Sequence, residues 1–194
     1  MMKVSREQMQ INRERILTEA ARLFREKGFD GVSVAEVMNA AGLTHGGFYG
    51  HFASKDDLIA ETVAHMMANG AKPSAADLSA FVDAYLSRRH RDGVAQGCPI
   101  AALAGDVRRQ DAGARRAMTQ GLRAQINRIA DSISDDRSKR AQQRAAVGVW
   151  ATMVGALVLA RTTDDEAFSD RILRDAKAWL SERVSAIAEG ADTL

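Results

Sequence analysis

The sequence predicts an all-α protein, and three observations support that fold class. The chain of 194 residues holds only two prolines, the residue that breaks helices most strongly. Apolar residues recur at three- and four-residue spacings along most of the chain, which is the pattern of amphipathic helices. No stretch shows the two-residue alternation typical of strands. The composition, 46% hydrophobic and 27% charged, is that of a globular protein and excludes general disorder.

Charge and cysteine content narrow the function classes further. The net charge is only +2, so binding to nucleic acid would have to come from locally placed residues. The single cysteine, Cys98, excludes an intrachain disulfide and a cysteine-rich zinc site. The first ten residues are polar and do not resemble a signal peptide. The longest apolar stretch, residues 145–160, is shorter than the roughly 20 residues of a membrane span. We therefore expect a cytoplasmic protein.

The first predicted helix covers residues 5–27, because its apolar residues share one side and Gly28 provides a stop. Three arginines on this helix, Arg13, Arg15 and Arg22, stand among glutamates. The pattern favours a solvated surface with ion pairs between successive turns. Two other basic residues, Lys3 and Arg6, precede or begin the helix.

Two short helical segments follow, joined by a turn at Gly42. The first begins with a capping box formed by Ser33 and Glu36. The second covers residues 44–51, and a longer helix then runs from Ser54 to about residue 69. A pair of helices too short to be stable alone, joined by a tight turn, has the sequence form of a helix-turn-helix.

The second short segment carries polar groups and two adjacent glycines. Ser33 and Thr44 stand at helix N-termini, where free N–H groups and the helix dipole favour a phosphate. Gly46 and Gly47 cost about 1 kcal/mol each inside a helix, which is understandable where the backbone approaches a partner closely. DNA is one such partner. The alternative is a plain helical hairpin with a solvated surface.

Further helices are predicted in the remaining two thirds of the chain. Residues 70–73 form a junction, residues 74–77 cap a fourth helix, and residues 92–99 form a loop. Pro99 is expected at the first position of a helix, which places Cys98 at or near its N-cap. The last long helix is opened by a capping box over residues 163–166. The long segments lie at about residues 112–133, 136–161 and 164–189.

Two motifs lie on either side of the turn in residues 16–58, namely Ala41-Gly42-Leu43-Thr44 and Phe48-Tyr49-x-His51-Phe52-x-Ser54-Lys55. Through these motifs the stretch, roughly the first third of the chain, resembles the DNA-binding domain of the TetR family of transcriptional regulators. The resemblance implies an all-helical homodimer, usually a repressor, with three N-terminal helices that bind DNA.

The family resemblance further implies a larger C-terminal helical domain that binds a small-molecule effector and dimerises. We expect the DNA-binding domain at residues 1–54 and the effector-binding domain at residues 55–194. The basic residues Lys3 and Arg6, before and at the start of the first helix, are expected to form an arm toward the DNA backbone.

The resemblance also implies two groups of DNA contacts. The residues at base edges are Thr44, His45 and Gly47. The residues at phosphates are Ser33, Tyr49, His51 and Lys55. Gly50 departs from the family pattern, which often has a larger polar residue there, and the two glycines before it leave few side chains to read bases.

A dimer interface is predicted on the last two long helices. Small residues allow close helix contact on the first of them, and apolar residues continue along the second. The alternative is burial within one subunit. A dimer would read a palindromic operator with half-sites about 34–36 Å apart. An effector that changes this spacing would lower DNA affinity, with a typical coupling of about 1–3 kcal/mol. The predicted interface residues are Gly148, Thr152, Gly155, Ile172, Ala176 and Trp179.

An effector pocket is predicted from apolar and aromatic residues in the central and C-terminal helices. Methionines and aromatic residues at helical spacing more often form an ordinary core, which is the alternative. Cys98 has a second interpretation, because a helix N-terminus stabilises a thiolate that reacts with electrophiles; the alternative is an inert thiol. The predicted pocket residues are Met66, Phe81, Tyr85, Cys98, Leu103, Met118, Leu122, Trp150 and Met153.

The sequence gives no indication of an enzyme. It holds no paired acids with a base, no Ser/His/Asp set, no phosphate loop and no metal-ligand spacing. We therefore expect no catalytic residue, no cofactor and no metal. A helical binding or interaction protein that does not bind DNA is the alternative function.

Overall fold

A computed structural model describes residues 5–70, 78–133 and 138–188, and the side chains as far as residue 183. Across these residues the chain is helical and holds no strand, so the predicted all-α fold is confirmed. Two short 3-10 helices, His45–Gly50 and Val94–Gln96, accompany the α-helices. The α-helices are α1 (Arg6–Lys27), α2 (Val34–Ala40), α3 (Lys55–Asn69), α4 (Leu78–Tyr85), α5 (Arg88–Asp92), α6 (Pro99–Val107), α7 (Ala112–Asp131), α8 (Lys139–Thr162) and α9 (Glu166–Ala188).

Local capping sets the ends of the first three helices, as predicted. The Ser33 hydroxyl accepts from the Glu36 N–H at 3.1 Å, and the Glu36 carboxylate interacts with the backbone of Ser33. The same carboxylate accepts from Lys27 Nζ at 2.6 Å, and this hydrogen bond is the main reason that the pKa of Glu36 is lowered. Gly28 ends α1 with a φ of +73°, the left-handed conformation that favours glycine.

Four predicted details of secondary structure differ from the structure. Residues 45–50 form a 3-10 helix rather than an α-helical turn, and Val94–Gln96 is helical inside the predicted loop. The fourth predicted helix stops at Tyr85, and α5 starts anew with Ser87 as its cap. The capping residue of α9 is Asp165 rather than Thr163, because Asp165 Oδ1 accepts from the Phe168 N–H at 3.0 Å.

Some expectations fall where the structure gives no description. The predicted arm residue Lys3 and the predicted cap over residues 74–77 lie outside the described residues.

The chain divides into two compact units. Unit 1 comprises residues 1–70 and 98–121, and unit 2 comprises residues 71–97 and 122–194. Unit 1 therefore holds α1 to α3, α6 and the first half of α7, so a segment from the middle of the chain packs with the N-terminal helices. The domain boundary expected at residue 54 stays a prediction about which part contacts DNA.

Unit 1 has one continuous apolar core, built from residues of α1, α2, α3, α6 and α7. Within this core, α7 approaches α3 closely. A Cβ built on Gly121 would lie 2.4 Å from the Cβ of Met67, and one on Gly113 would lie 3.2 Å from that of Ala60. Small residues at these positions therefore allow α7 to lie directly against α3. The largest fully buried side chains of this core are Phe24, Phe29, Phe48, Phe52, Ile16, Met38, Leu58, Met66 and Leu103.

Unit 2 is built mainly on α8, which packs along α9 and contacts α5, while α4 contacts α9. An arginine network fixes α5 in place. Arg91 donates to the Asp170 carboxylate at 2.9 Å and to Ser169 Oγ at 3.0 Å, and Arg88 pairs with Asp170 as well. Arg161 of α8 donates to the backbone carbonyls of His90 and Arg91, at 2.7 and 2.9 Å.

One helix of the described part, α8, is long and apolar enough to cross a membrane by length and composition alone. This is weak evidence for a membrane span, because the core helix of a soluble protein passes the same test. In this structure α8 lines the core of unit 2 through Trp150, Met153 and Leu157.

Candidate DNA-binding interface

The turn between the two short helices depends on Gly42. Its φ is +69°, a conformation that other residues adopt only with strain. The Leu43 N–H donates to the carbonyl of Met38 at 2.9 Å, which satisfies an end carbonyl of α2. The turn leads directly into His45–Gly50, which we call the recognition segment.

In the recognition segment the apolar ring is buried, whereas the polar side chains are exposed. Phe48 is 1% exposed and its ring stacks on Phe52, with centroids 5.7 Å apart. Tyr49, the next residue, is 72% exposed. Thr44 and His45 are also exposed, and the Thr44 side chain makes no capping hydrogen bond. The polar groups of this segment are therefore available to a partner.

The fold of unit 1 does not require glycine at positions 46 and 47. Neither residue has a positive φ. A Cβ built on Gly46 would meet no atom within 4 Å, and one on Gly47 would lie 3.7 Å from Met38 Cε, an ordinary contact. The packing of unit 1 therefore gives no steric reason for the two glycines. That a DNA strand approaches the backbone here stays a prediction.

The predicted DNA-contact residues all belong to unit 1, and most of them are exposed. Thr44, His45, Gly47 and Tyr49 are exposed, as is Ser33 at the cap of α2. Lys55 is the first residue of α3 and is half-exposed. His51 is half-buried, and burial together with the nearby Arg13 charge lowers its pKa. Their individual roles toward DNA stay predictions.

Sequence reasoning missed the position of Arg13. The guanidinium donates to the backbone carbonyl of His51 and to both oxygens of the Glu61 carboxylate. It also lies over the Phe52 ring, with its central carbon 4.3 Å from the centroid. The expected solvated surface with local ion pairs is wrong for Arg13. It is correct for Arg22, which pairs with glutamates three residues before it and four residues after it, both at 3.0 Å.

The predicted interface on α8 and α9 is largely open to the surface. A Cβ built on Gly148 or Gly155 would meet nothing within 4 Å. Trp179 is 43% exposed, whereas Ile172, Ala176 and Thr152 are half-buried. Leu159, which was not among the predicted interface residues, is 58% exposed. The exposed large apolar residues of the two helices are Val147, Val158, Leu159, Phe168 and Trp179.

The predicted effector residues are divided between the two units. Leu122 is half-buried in unit 2 and Cys98 is half-buried in unit 1. A single pocket formed by all nine residues therefore stays a prediction. The buried members in unit 1 are Met66, Leu103 and Met118, and those in unit 2 are Phe81, Tyr85, Trp150 and Met153.

An aromatic cluster forms in unit 2 around Trp150. The Phe81 ring stacks on the indole at a centroid distance of 6.3 Å, and the Tyr85 ring meets it edge-on at 5.3 Å. Trp150 is 6% exposed, and its indole Nε1 is buried without a hydrogen-bond acceptor. A buried donor of this kind costs free energy unless an acceptor reaches it.

Cys98 is the N-cap residue of α6, as predicted, and its thiol makes no capping hydrogen bond. Arg25 lies within electrostatic reach of it. Burial lowers the pKa of Arg25, and the charge of Cys98 acts in the opposite direction. The pair thus combines a thiol at a helix N-terminus with a nearby cation.

No group of three or more His, Cys, Asp or Glu residues that could hold a metal occurs in the part of the chain that the structure describes.

Comparison with known proteins gives matches over most of the chain. A family model of bacterial regulatory proteins of the tetR family matches residues 16–62, and a model of a tetracyclin repressor-like C-terminal domain matches residues 74–176. An HTH-type transcriptional regulator of Mycobacterium tuberculosis is 30% identical over 191 residues, covering 89% of this chain and 95% of the relative. The HTH-type transcriptional regulator AcrR of Shigella flexneri is 39% identical over 61 residues, 31% of this chain and 28% of the relative.

Solved structures support the same fold. The reduced form of Escherichia coli NemR has a TM-score of 0.72 at 20% identity, covering 89% of this chain and 96% of its own. A TetR transcriptional regulator from Legionella pneumophila has a TM-score of 0.71 at 20% identity, covering 94% of this chain and 99% of its own.

Proposed function

Because this chain belongs to the TetR family of bacterial regulatory proteins and is a DNA-binding transcriptional regulator, we propose that it is a repressor that binds a palindromic operator as a homodimer. In this proposal a small-molecule effector releases the dimer from DNA. The protein acts in the cytoplasm and catalyses no reaction, in keeping with a family of regulators rather than enzymes.

The recognition segment is the observation that carries this proposal. It buries the Phe48 ring against Phe52 and leaves polar groups and two glycines exposed. We assign base-edge contacts to Thr44, His45 and Gly47, where the missing side chain lets the backbone approach a base. We assign phosphate contacts to Ser33, Tyr49, His51 and Lys55, since hydroxyl, imidazole and ammonium groups position a protein on the DNA backbone.

The open surface of α8 and α9 supports the homodimer. One recognition segment reaches too few bases for a specific affinity, whereas two copies one DNA turn apart read a palindrome. Exposed apolar side chains beside glycines without neighbours fit a second copy of the same helices.

Selection of DNA from a random library by the purified protein tests the proposal. We expect enrichment of one palindromic sequence with half-sites about 34–36 Å apart. Binding of genomic DNA fragments by the same protein then identifies the operator and its genes. Enrichment of no sequence would favour a helical binding protein that acts without DNA, and enrichment of a single half-site would contradict the dimer.

Among the predicted effector residues, those of the aromatic cluster in unit 2 combine stacked rings with a buried hydrogen-bond donor. A planar ligand that stacks on Phe81 or Tyr85 and offers an acceptor to Trp150 Nε1 would satisfy the buried donor. The chain has two tryptophans, so Trp179→Phe leaves Trp150 as the only one. In that variant, a ligand that releases DNA should shift the indole emission. Release of DNA without any shift would place the effector elsewhere.

Cys98 gives a second route to release. Alkylation of this thiol, which lies at a helix N-terminus near Arg25, would add bulk to the start of α6 in unit 1. N-ethylmaleimide should release the wild-type protein from its operator and leave Cys98→Ser bound. Equal release of both proteins, or release of neither, would show that the single cysteine plays no part in the release.

A further inference from the structure

We propose that Arg13 is a positioning residue for DNA recognition: its side chain holds the end of the recognition segment against α1 and α3 in the conformation that contacts DNA. This inference rests on the proposed function, because it assumes that the recognition segment is the part that contacts DNA. Arg13 itself contacts no base in this proposal.

Three contacts converge on the Arg13 side chain, all within unit 1. One nitrogen donates to the carbonyl of His51, directly after the recognition segment. The second terminal nitrogen pairs with Glu61 of α3, and the guanidinium plane covers the Phe52 ring at 4.3 Å. The Arg13 side chain is only 27% exposed, so these contacts are partly shielded from water.

The recognition segment needs such an anchor because it cannot hold its own position. A helix of six residues is far below the length that is stable alone, so contacts with the rest of the unit fix its orientation. The Phe48 and Phe52 rings fix its inner side, but rings alone tolerate sliding and rotation. The carbonyl of His51, directly after the segment, accepts from Arg13, which ties the end of the segment to α1.

Arginine is suited to this position because its planar fork serves several acceptors at fixed angles. A lysine would carry the same charge but could not hold the His51 carbonyl and the Glu61 carboxylate in the same geometry. The Glu61 contact also links the recognition segment, through Arg13, to α3. The chain leaves unit 1 at the end of α3, so a shift of α3 would pull Arg13 away from the recognition segment.

The test compares Arg13 variants with a matched arginine on the same helix. Arg22→Ala removes ion pairs that lie wholly within α1 and should leave operator affinity unchanged. Arg13→Ala should weaken operator binding about 10- to 100-fold, as expected when a charge-assisted hydrogen bond that holds the binding conformation is lost. Arg13→Lys should recover only part of that affinity.

A charge reversal separates positioning from simple stability. The double variant Arg13→Glu with Glu61→Arg restores an ion pair between α1 and α3 but leaves no donor at position 13 for the His51 carbonyl. We expect its melting temperature to return toward that of the wild type while operator affinity stays low. Full recovery of operator affinity would overturn the proposal, because the ion pair alone would then suffice. A salt slope reduced by about one in Arg13→Ala would also overturn it, since Arg13 would then contact a phosphate.

The titration of His51 tests the Arg13 contact in the absence of DNA. Burial and the Arg13 charge lower the pKa of this histidine, so NMR should find it higher in Arg13→Ala than in the wild type. A raised pKa in a protein that selects no operator would show that the contact exists and that the proposed function fails. An unchanged His51 pKa would overturn the inference while leaving the proposed function intact.

Discussion

The recognition segment of unit 1 and the α8–α9 surface of unit 2 share one feature and differ in another. Both expose a pair of glycines with room for a side chain: Gly46 and Gly47 in the first, Gly148 and Gly155 in the second. The side chains near the two pairs differ: Tyr49 and His45 lie close in sequence to the first pair, whereas Val147 and Leu159 lie close in sequence to the second. The glycines show only that there is room for a partner, and the neighbouring side chains distinguish the partners that we propose for the two surfaces.

The physics of the two surfaces follows from this difference. Hydrogen-bond donors beside an open backbone suit a polyanion, and contacts of that kind weaken with salt and form reversibly. Exposed leucine, valine and tryptophan gain roughly 25 cal/mol for each Å² that a partner covers, which favours lasting association. The proposed dimeric repressor needs both properties, namely lasting pairing of subunits and reversible binding to DNA.

The largest effect is expected from a charge on the apolar surface. Leu159→Glu would place an unpaired carboxylate in the proposed dimer interface, at a cost of several kcal/mol. We expect a monomer by analytical ultracentrifugation, and operator affinity reduced by roughly 100-fold or more because only one recognition segment then remains per particle.

Ile11→Glu is the matched control, because Ile11 is another exposed apolar residue but lies on α1. This variant should remain a dimer. If Leu159→Glu remained a dimer with unchanged helix content, the α8–α9 surface would not be the dimer interface. The contrast between a polar DNA-binding surface and an apolar dimer surface would then fail.

The next largest effect is expected at Gly47. Since the fold has room for a methyl group, Gly47→Ala should stabilise the free protein by about 0.4–1 kcal/mol. The same methyl group should obstruct DNA and raise the operator Kd about tenfold, or 1.4 kcal/mol. Calorimetry of the free protein and a binding titration give the two numbers separately.

Gly105→Ala is the comparison for this variant, because a Cβ there also meets no atom within 4 Å, but the residue lies in α6. It should stabilise the protein and leave DNA binding unchanged. If Gly47→Ala behaved in the same way, the close approach of DNA to the recognition segment would be refuted.

Features governed by local sequence were predictable, and those governed by distant contacts were not. Ser33 and Ser54 cap helices through bonds to residues three positions away, so their role is visible in the sequence. Arg13 binds Glu61, 48 residues away, and no helical spacing shows that. The packing of α7 on α3 through Gly121 and Met67 is equally invisible, because it depends on how the chain returns to unit 1.

The candidate site shows the same division. The family motif identified the recognition segment, and the structure showed which of its residues are exposed and that the glycines have no internal cause. The α9 cap differed because two neighbouring residues can both serve: Thr163 accepts from the Asp165 N–H at 3.1 Å, while Asp165 accepts from Phe168. Local patterns alone do not decide between such competing caps.

A smaller effect is expected from substitution of the proposed phosphate contacts, and it tests whether the polar surface of unit 1 binds the DNA backbone. Tyr49→Ala and Lys55→Ala should each weaken binding to operator and to unrelated DNA by the same factor, about three- to tenfold. Lys55→Ala should also reduce the slope of log affinity against log salt by about one. Loss of selectivity with unchanged affinity for unrelated DNA would instead place these residues at base edges.

The smallest effect concerns pH, and it involves one histidine in each unit. Burial lowers the pKa of His51 in unit 1, with a further contribution from Arg13. Burial also lowers the pKa of His90 in unit 2, although the hydrogen bond from its Nδ1 to the Tyr85 carbonyl, at 2.8 Å, opposes that shift. A lowered pKa means that the unfolded chain takes up the proton first as the pH falls below about 6.5, so stability decreases toward acid.

Melting curves of the wild type and of variants of these two histidines, recorded between pH 7.5 and 5.5, test this expectation. We expect the wild-type melting temperature to fall toward the acid end of the range. His51→Asn and His90→Asn should each remove part of the fall, and the double variant should remove most of it. If His51→Asn alone abolished the pH dependence, proton uptake on unfolding would come from unit 1 only. If His90→Asn alone did so, it would come from unit 2 only.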